Sequence, residues 1–378
     1  MKDATPEDPG SPANSAQQSA PVQANEHDVA APPLNSPADS AQQSARVQAH
    51  GHDVAVLDWS GAFMSGALVL VPLWMLLSNS AVLGGHPALP ALLMVAAAAG
   101  LLWAFVLVKR TTVLEGWPRS KQHGPVNHPP SRRSVSRWQL VRGLAGRLAV
   151  LGLVAGLAWL NPFPYQPSGA EGQTTGTTTE DATTITLAPE GKARAGLVFY
   201  PGARVDARAY QDILGPLANA GYLVVILKVP LGIPLLDISQ ARGTMDEHPE
   251  ITSWAVGGHS LGGVSASSFA TSNRDVSGLL LFASYPAESM ADAVDFAVLS
   301  ISGSNDGLTT PDKISASKAL LPPATGFATV EGGVHAFFGD YGEQPGDGEP
   351  GISRQEAQQQ IAADSIRFMD RLGSGPRG

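Results

Sequence analysis

Residues 254–270 constrain this chain most. They read Trp-Ala-Val-Gly-Gly-His-Ser-Leu-Gly-Gly-Val-Ser-Ala-Ser-Ser-Phe-Ala. A short apolar run meets one serine with glycines on both sides, and a stretch of small residues follows. A strand that turns sharply into a helix needs this order. The glycines stand where the backbone packs closest, and the Ser260 hydroxyl is held above a sheet at a helix N-terminus. The G-x-S-x-G pattern alone is common by chance. Between a strand and a helix it points to a nucleophile.

The surrounding pattern predicts the sheet. Apolar, β-branched runs place strands at Leu197–Tyr200, Tyr222–Val229, Trp254–Gly257, Val276–Phe282, Phe296–Ser302 and Ala328–Val330. Helical periodicity falls at Ala207–Ala220, Leu236–Met245, Leu261–Ala270 and Gln355–Leu372. Strands that alternate with helices predict the α/β class, with a mostly parallel sheet covered by helices on both faces.

A serine hydroxyl needs a base. Of nine histidines only His248, His259 and His335 fall in this region. His259 neighbours Ser260 in sequence, so its ring is turned away from the hydroxyl and is expected to pack beside the turn. His248 precedes the strand and belongs to the wrong end of the sheet. His335 follows the last strand and is the expected base. The acid is expected after the preceding strand, where Gly303-Ser-Asn-Asp-Gly307 places Asp306 in a turn that can orient an imidazole. Glu288 is the reserve, and Asp340 ranks lower because it comes after His335. Two backbone N–H groups are expected to form an oxyanion hole: Leu261, at the helix start, and Ala203, in the loop after Leu197–Tyr200. Pro201 has no N–H to give, and Gly202 lets the backbone come close.

These residues resemble the α/β-hydrolase superfamily, and within it the dienelactone-hydrolase-like and small serine esterase group, over about residues 185–373. The resemblance rests on four motifs. They are Tyr-Pro-Gly-Ala-Arg at 200–204, Gly-Gly-His-Ser-Leu-Gly-Gly at 257–263, Ser-Gly-Ser-Asn-Asp at 302–306, and Gly-Gly-Val-His-Ala-Phe-Phe-Gly-Asp-Tyr-Gly at 332–342. The order Ser260, Asp306, His335 is the one such enzymes use. The resemblance implies hydrolysis of esters or related acyl groups through an acyl-enzyme, with no metal or organic cofactor. Pro201 stands where many members have His. Ser260 replaces the Cys of typical dienelactone hydrolases, which weakens that substrate assignment. Only about a dozen residues, Ser284–Asp295, occupy the place where large lids are inserted, so an open site is expected.

The first half of the chain reads differently. Residues 11–30 and 36–55 are a tandem duplication with a 25-residue step, too poor in large apolar residues to bury a core. Residues 1–60 are therefore expected to be a disordered tail. Its His27, His50 and His52 are too loosely spaced for a metal site. Residues 61–165 form the expected membrane region. Gly61–Leu77 and Leu89–Val108 are each long and apolar enough to span a bilayer. Leu144–Leu160 is a weaker third candidate that carries Arg147. Residues 166–184, rich in Gly and Thr, read as a linker, and 185–378 as the catalytic domain.

Charge sets the orientation. Residues 109–147 hold nine Lys and Arg against Glu115 alone, which places this loop in the cytoplasm. If the third span is real, the catalytic domain is extracytoplasmic. From residue 169 onward there are 13 Lys and Arg against 24 Asp and Glu, a balance that disfavours nucleic acid as a partner. The chain has no cysteine, which excludes thiolate nucleophiles and disulfides. The expectation is a membrane-anchored serine hydrolase acting on a small-molecule or lipid-like ester. Acyl transfer on the same fold stays open beside it, as does a non-catalytic, membrane-bound binding module, although an intact set of three residues argues against the latter.

Overall fold

The computed structural model describes residues 59–115, 137–167, 174–293 and 296–373. The duplicated tail with its three histidines, most of the basic loop, and 168–173 of the Gly/Thr-rich stretch lie outside the described residues.

Helix α1 (Trp59–Ser78), the short α2 (Ser80–Gly84), α3 (Ala88–Glu115) and α4 (Arg137–Trp159) come first. Trp59–Ser78, Ala88–Arg110 and Val141–Trp159 are each long and apolar enough to cross a bilayer. Helices α1 and α3 close on each other at Gly100, where an added Cβ would lie 2.8 Å from the Ser65 carbonyl oxygen. A small residue permits that approach. Arg147, the one charge in the third apolar stretch, reaches back to donate from Nε to Ser60 Oγ (2.9 Å), near the start of α1.

Asn79 ties the helix ends together. Its Nδ2 donates to Asn161 Oδ1 and to the Pro162 carbonyl, both at 2.8 Å, and its Oδ1 accepts from the Ala81 N–H. Met75, Val82, Leu89, Leu93 and Leu157 form an apolar cluster at the same level. The end of α1, the start of α3 and the end of α4 therefore meet at one end of the bundle. The stretch joining α3 to α4 leaves from the other end.

The rest is an eight-stranded sheet. In chain order its elements are β1 (Thr177–Glu180), β2 (Thr184–Ala188), β3 (Gly196–Tyr200), α5 (Gln211–Asn219), β4 (Leu223–Leu227), α6 (Gln240–Glu247), β5 (Trp254–His259), α7 (Leu261–Ser272), β6 (Val276–Phe282), β7 (Ala297–Gly303), α8 (Pro311–Ser317), β8 (Gly326–Val330) and α9 (Arg354–Gly373). The strand order is β1-β2-β4-β3-β5-β6-β7-β8. β1 and β2, and β2 and β4, run antiparallel, and every other pair is parallel. The interior strands are buried on both faces, so they read as unbroken apolar runs. In β3, Leu197 and Phe199 face a core closed by α5 and α9. Val198 and Tyr200 face a second core, closed by α6 and α7.

Three elements were not expected: β2, α8 and the edge strand β1. Thr177–Glu180, inside the stretch read as a linker, is edge strand β1. It is exposed and pairs on one side only. Its polar threonines carry β propensity without apolar alternation, so the pattern gave no sign of it. Glu180 at its end accepts from Lys228 Nζ (2.7 Å) and pairs with Arg208, which fastens the hairpin to the sheet.

Asn79→Ala removes the clasp at the helix ends and leaves buried polar groups without partners. It should cost about 1–3 kcal/mol. The check is a lowered midpoint in thermal unfolding of the detergent-solubilised chain.

Candidate functional site

Ser260 sits between β5 and α7 with φ 52° and ψ −123°. A non-glycine residue in this region is strained, and such strain persists only where the surroundings impose it. Here they do. The Ser260 N–H donates to the Phe282 carbonyl (3.0 Å), and the Ser260 carbonyl accepts from Gly263 N–H (3.0 Å) and Ser284 Oγ (2.6 Å). A Cβ on Gly258 would lie 2.4 Å from the Gly262 backbone, and one on Gly262 would lie 2.2 Å from the Tyr200 carbonyl oxygen. The two glycines that flank Ser260 are thus required by backbone contact.

Asp306 and His335 come together. His335 Nδ1 lies 2.8 Å from Asp306 Oδ2, and both side chains are about 1% exposed or less. Asp306 Oδ1 is held by the N–H groups of Leu308 (2.8 Å) and Thr309 (2.7 Å). A carboxylate only accepts, so Nδ1 carries a proton, and in the neutral ring Nε2 then holds the lone pair. That Nε2 is buried and has no hydrogen-bond partner, so no bond to Ser260 is formed in this structure. The His335 ring stands beside the Ser260 turn, with its centroid 4.5 Å from that of His259.

Sequence reasoning missed the support of this pair. Asp347 accepts from the N–H groups of His335 (3.0 Å), Ala336 (2.8 Å) and Gly307 (3.2 Å). One carboxylate thus joins the loop of Asp306 to the loop of His335. Its only signal was a turn-type Pro-Gly-Asp-Gly sequence.

His259 is a packing residue, as its place beside Ser260 implied. It lies against Phe338 and Tyr341 as well as His335. The Tyr210 oxygen accepts from the Gly202 N–H (2.8 Å) and lies 2.9 Å from His259 Nδ1. Its single hydrogen is satisfied only by donating to that nitrogen. Burial, with the His335 ring as the second cause, holds His259 well below the usual histidine range. The ring is therefore neutral. The Gly202 N–H is thus taken by Tyr210.

The chain leaving α4 is built into the same loop. Phe163 pairs with Val205 as a short parallel bridge. Its N–H donates to the Arg204 carbonyl (2.6 Å), and its carbonyl accepts from Asp206 N–H (3.0 Å). The Arg204 guanidinium lies 4.8 Å from the Trp159 ring centroid and 5.0 Å from that of Phe163. Arg204 itself has φ 63°. This segment sits between the expected span and the expected linker, where a sequence pattern assigns no contact.

The remaining candidates lie elsewhere. His248 pairs with Glu250 (3.1 Å) just before β5. Glu288 is exposed. Asp340 is buried, and its Oδ1 accepts from Gln358 Nε2 (3.0 Å).

Residues 196–360 match the family model described as "Alpha/beta hydrolase family". No curated protein sequence matches the chain. Among solved structures it is similar to a predicted CIB-like hydrolase from Thermoplasma acidophilum, at 15% identity, covering 52% of this chain and 99% of that one, with a TM-score of 0.40. It is similar to a thermophilic esterase from Thermogutta terrifontis at 14% identity, covering 55% and 96%, with a TM-score of 0.41. It is also similar to a dienelactone hydrolase-like promiscuous phosphotriesterase from metagenomic libraries, at 16% identity, covering 50% and 92%, with a TM-score of 0.39.

Burial raises the Asp340 carboxyl to about 6, against the opposing effects of Gln358 and Arg354. Unfolded, it titrates near 3.9. The folded state therefore binds more protons between these values, and stability contributed by this group falls as pH rises from about 4 to about 6. Asp340→Asn should remove that part of the slope, measured by urea unfolding across pH 4–8.

Proposed function

Taking residues 196–360 as an α/β-hydrolase domain, we propose that the chain is a serine hydrolase of carboxylic esters, held at a membrane by its three helices. The observation that carries this is the buried 2.8 Å bond between His335 Nδ1 and Asp306 Oδ2, beside the strained turn at Ser260. In this reading Ser260 Oγ attacks the ester carbonyl carbon and His335 Nε2 takes its proton. The oxyanion is received by the N–H groups of Leu261 and Ala203, and a single such donor is typically worth about 3–4 kcal/mol in the transition state. Collapse breaks the acyl C–O bond, and His335 returns the proton to the departing alcohol. Water, activated by the same nitrogen, then releases the acid from Ser260. Asp306 fixes the tautomer of His335 and stabilises its charged form.

The test is labelling with a fluorophosphonate probe together with ester turnover. Wild type should label, and Ser260→Ala should lose both label and turnover, by ~10^4-fold or more, with its unfolding midpoint retained. Label that persists in Ser260→Ala refutes the assignment.

The helices give this reading its orientation. With α1, α3 and α4 as spans, the catalytic domain leaves the bundle at the end opposite the basic stretch, and so lies outside the cytoplasm. The chain has no cysteine, so one can be introduced cleanly. Lys192→Cys, in an exposed turn, should react with an impermeant maleimide on intact cells. Lys121→Cys, in the basic stretch, should react only after permeabilisation. The reverse pattern overturns the orientation.

A further inference from the structure

The carboxyl end of the sheet, where Ser260 stands, faces the bundle of apolar helices. Among the loops that leave the sheet at this end are the Ser260 turn, the loop after β3 and the loop after β4. The last two touch the helices. Arg204, after β3, lies on the Trp159 ring at the end of α4. Leu231, after β4, packs into the apolar cluster formed by Met75, Val82, Leu89, Leu93 and Leu157. Val82, His86 and Leu89 share a small pocket with Pro201, Val205 and Asp206. The loops after β3 and β4 also hold each other, since Arg204 N–H donates to the Gly232 carbonyl at 2.6 Å.

The loop after β4 then continues onto α7. Its one-turn 3₁₀ helix Pro234–Leu236 packs against α7, the helix that Ser260 opens. Leu235 and Leu236 on that turn are 44% and 56% exposed. Among the described residues after Leu160, the only other large apolar side chain this exposed is Phe327, and the Lys318 ammonium covers its ring. Leu235 and Leu236 thus form an adjacent exposed pair, four and five residues beyond Leu231, which packs partly buried against the apolar helices. At the acyl-chain level of a bilayer they cost nothing and offer a continuous apolar path.

We propose that the substrate is a long-chain ester resident in the same bilayer, and that its acyl chain reaches Ser260 along Leu231, Leu235 and Leu236. This rests on the assignment of Ser260, His335 and Asp306 above and narrows it to one substrate class. The chemistry is unchanged. The acyl C–O bond breaks as the Ser260 Oγ–acyl bond forms, the lipid alcohol leaves with the proton from His335, and water releases a fatty acid.

The test uses the full chain in phosphatidylcholine vesicles, with 4-methylumbelliferyl oleate dissolved in the bilayer and 4-methylumbelliferyl acetate in the water. The leaving group is the same, so the ratio of the two kcat/KM values reports the acyl chain alone. Wild type should favour the oleate. The exposed double substitution Leu235→Ser with Leu236→Ser should lower the oleate-to-acetate ratio about tenfold or more, since fully withdrawing one leucine from water is worth roughly one to two powers of ten. A ratio unchanged in the double variant, or a wild type that favours acetate, overturns the proposal while leaving the serine hydrolase intact. Failure on both esters without fluorophosphonate labelling overturns both.

Discussion

The close contact of backbone with backbone around Ser260 governs the rest of the catalytic half. Gly262 lies against the carbonyl oxygen of Tyr200, at the end of β3, and Gly258 against Gly262. This lets β5 turn directly into α7 and holds Ser260 at φ 52°. The order of the sheet follows from the same crossing. β3 and β5 are neighbours, so the loop after β3 stands beside the start of α7, where Leu261 N–H is free of any turn of helix before it.

Strain gathers at this end of the sheet. The four non-glycine residues with positive φ among the described residues are Arg204, Leu231, Ser260 and Ala283. Each follows a strand or lies in the loop after one, and Ser284, next to Ala283, bonds to the carbonyl of Ser260. Each such residue costs on the order of 1–3 kcal/mol, which the packed strands beneath must offset. Ala283 is held by its N–H on the Ile301 carbonyl (2.8 Å), and Arg204 by Gly232, Phe163 and Trp159. The surrounding structure over-determines these conformations, as a site that must not relax requires.

The apolar helices take part in that support. The segment from Asn161 to Gln166 runs from the end of α4 onto the loop after β3, and Gln166 N–H donates to the carbonyl of Asp340 (2.8 Å). The residues that follow α4 thus supply backbone hydrogen bonds to the loop after β3.

Much of this was legible in the sequence. The α/β class, the parallel strands from β3 to β8, the apolar helices and the turn at Ser260 all follow from local pattern: unbroken apolar runs, helical periodicity, and glycines where a Cβ has no room. The order of residues along the chain also pointed to Asp306 and His335, because strand ends place them at one edge. The tertiary structure alone decided the remainder. It made Thr177–Glu180 an edge strand through pairing rather than composition. It gave Asp347 two loops to join, bound Gly202 to Tyr210, and turned the carboxyl end of the sheet toward the helices. These depend on contacts between residues far apart in the chain, and no local period of hydrophobicity encodes which distant partner a polar group will meet.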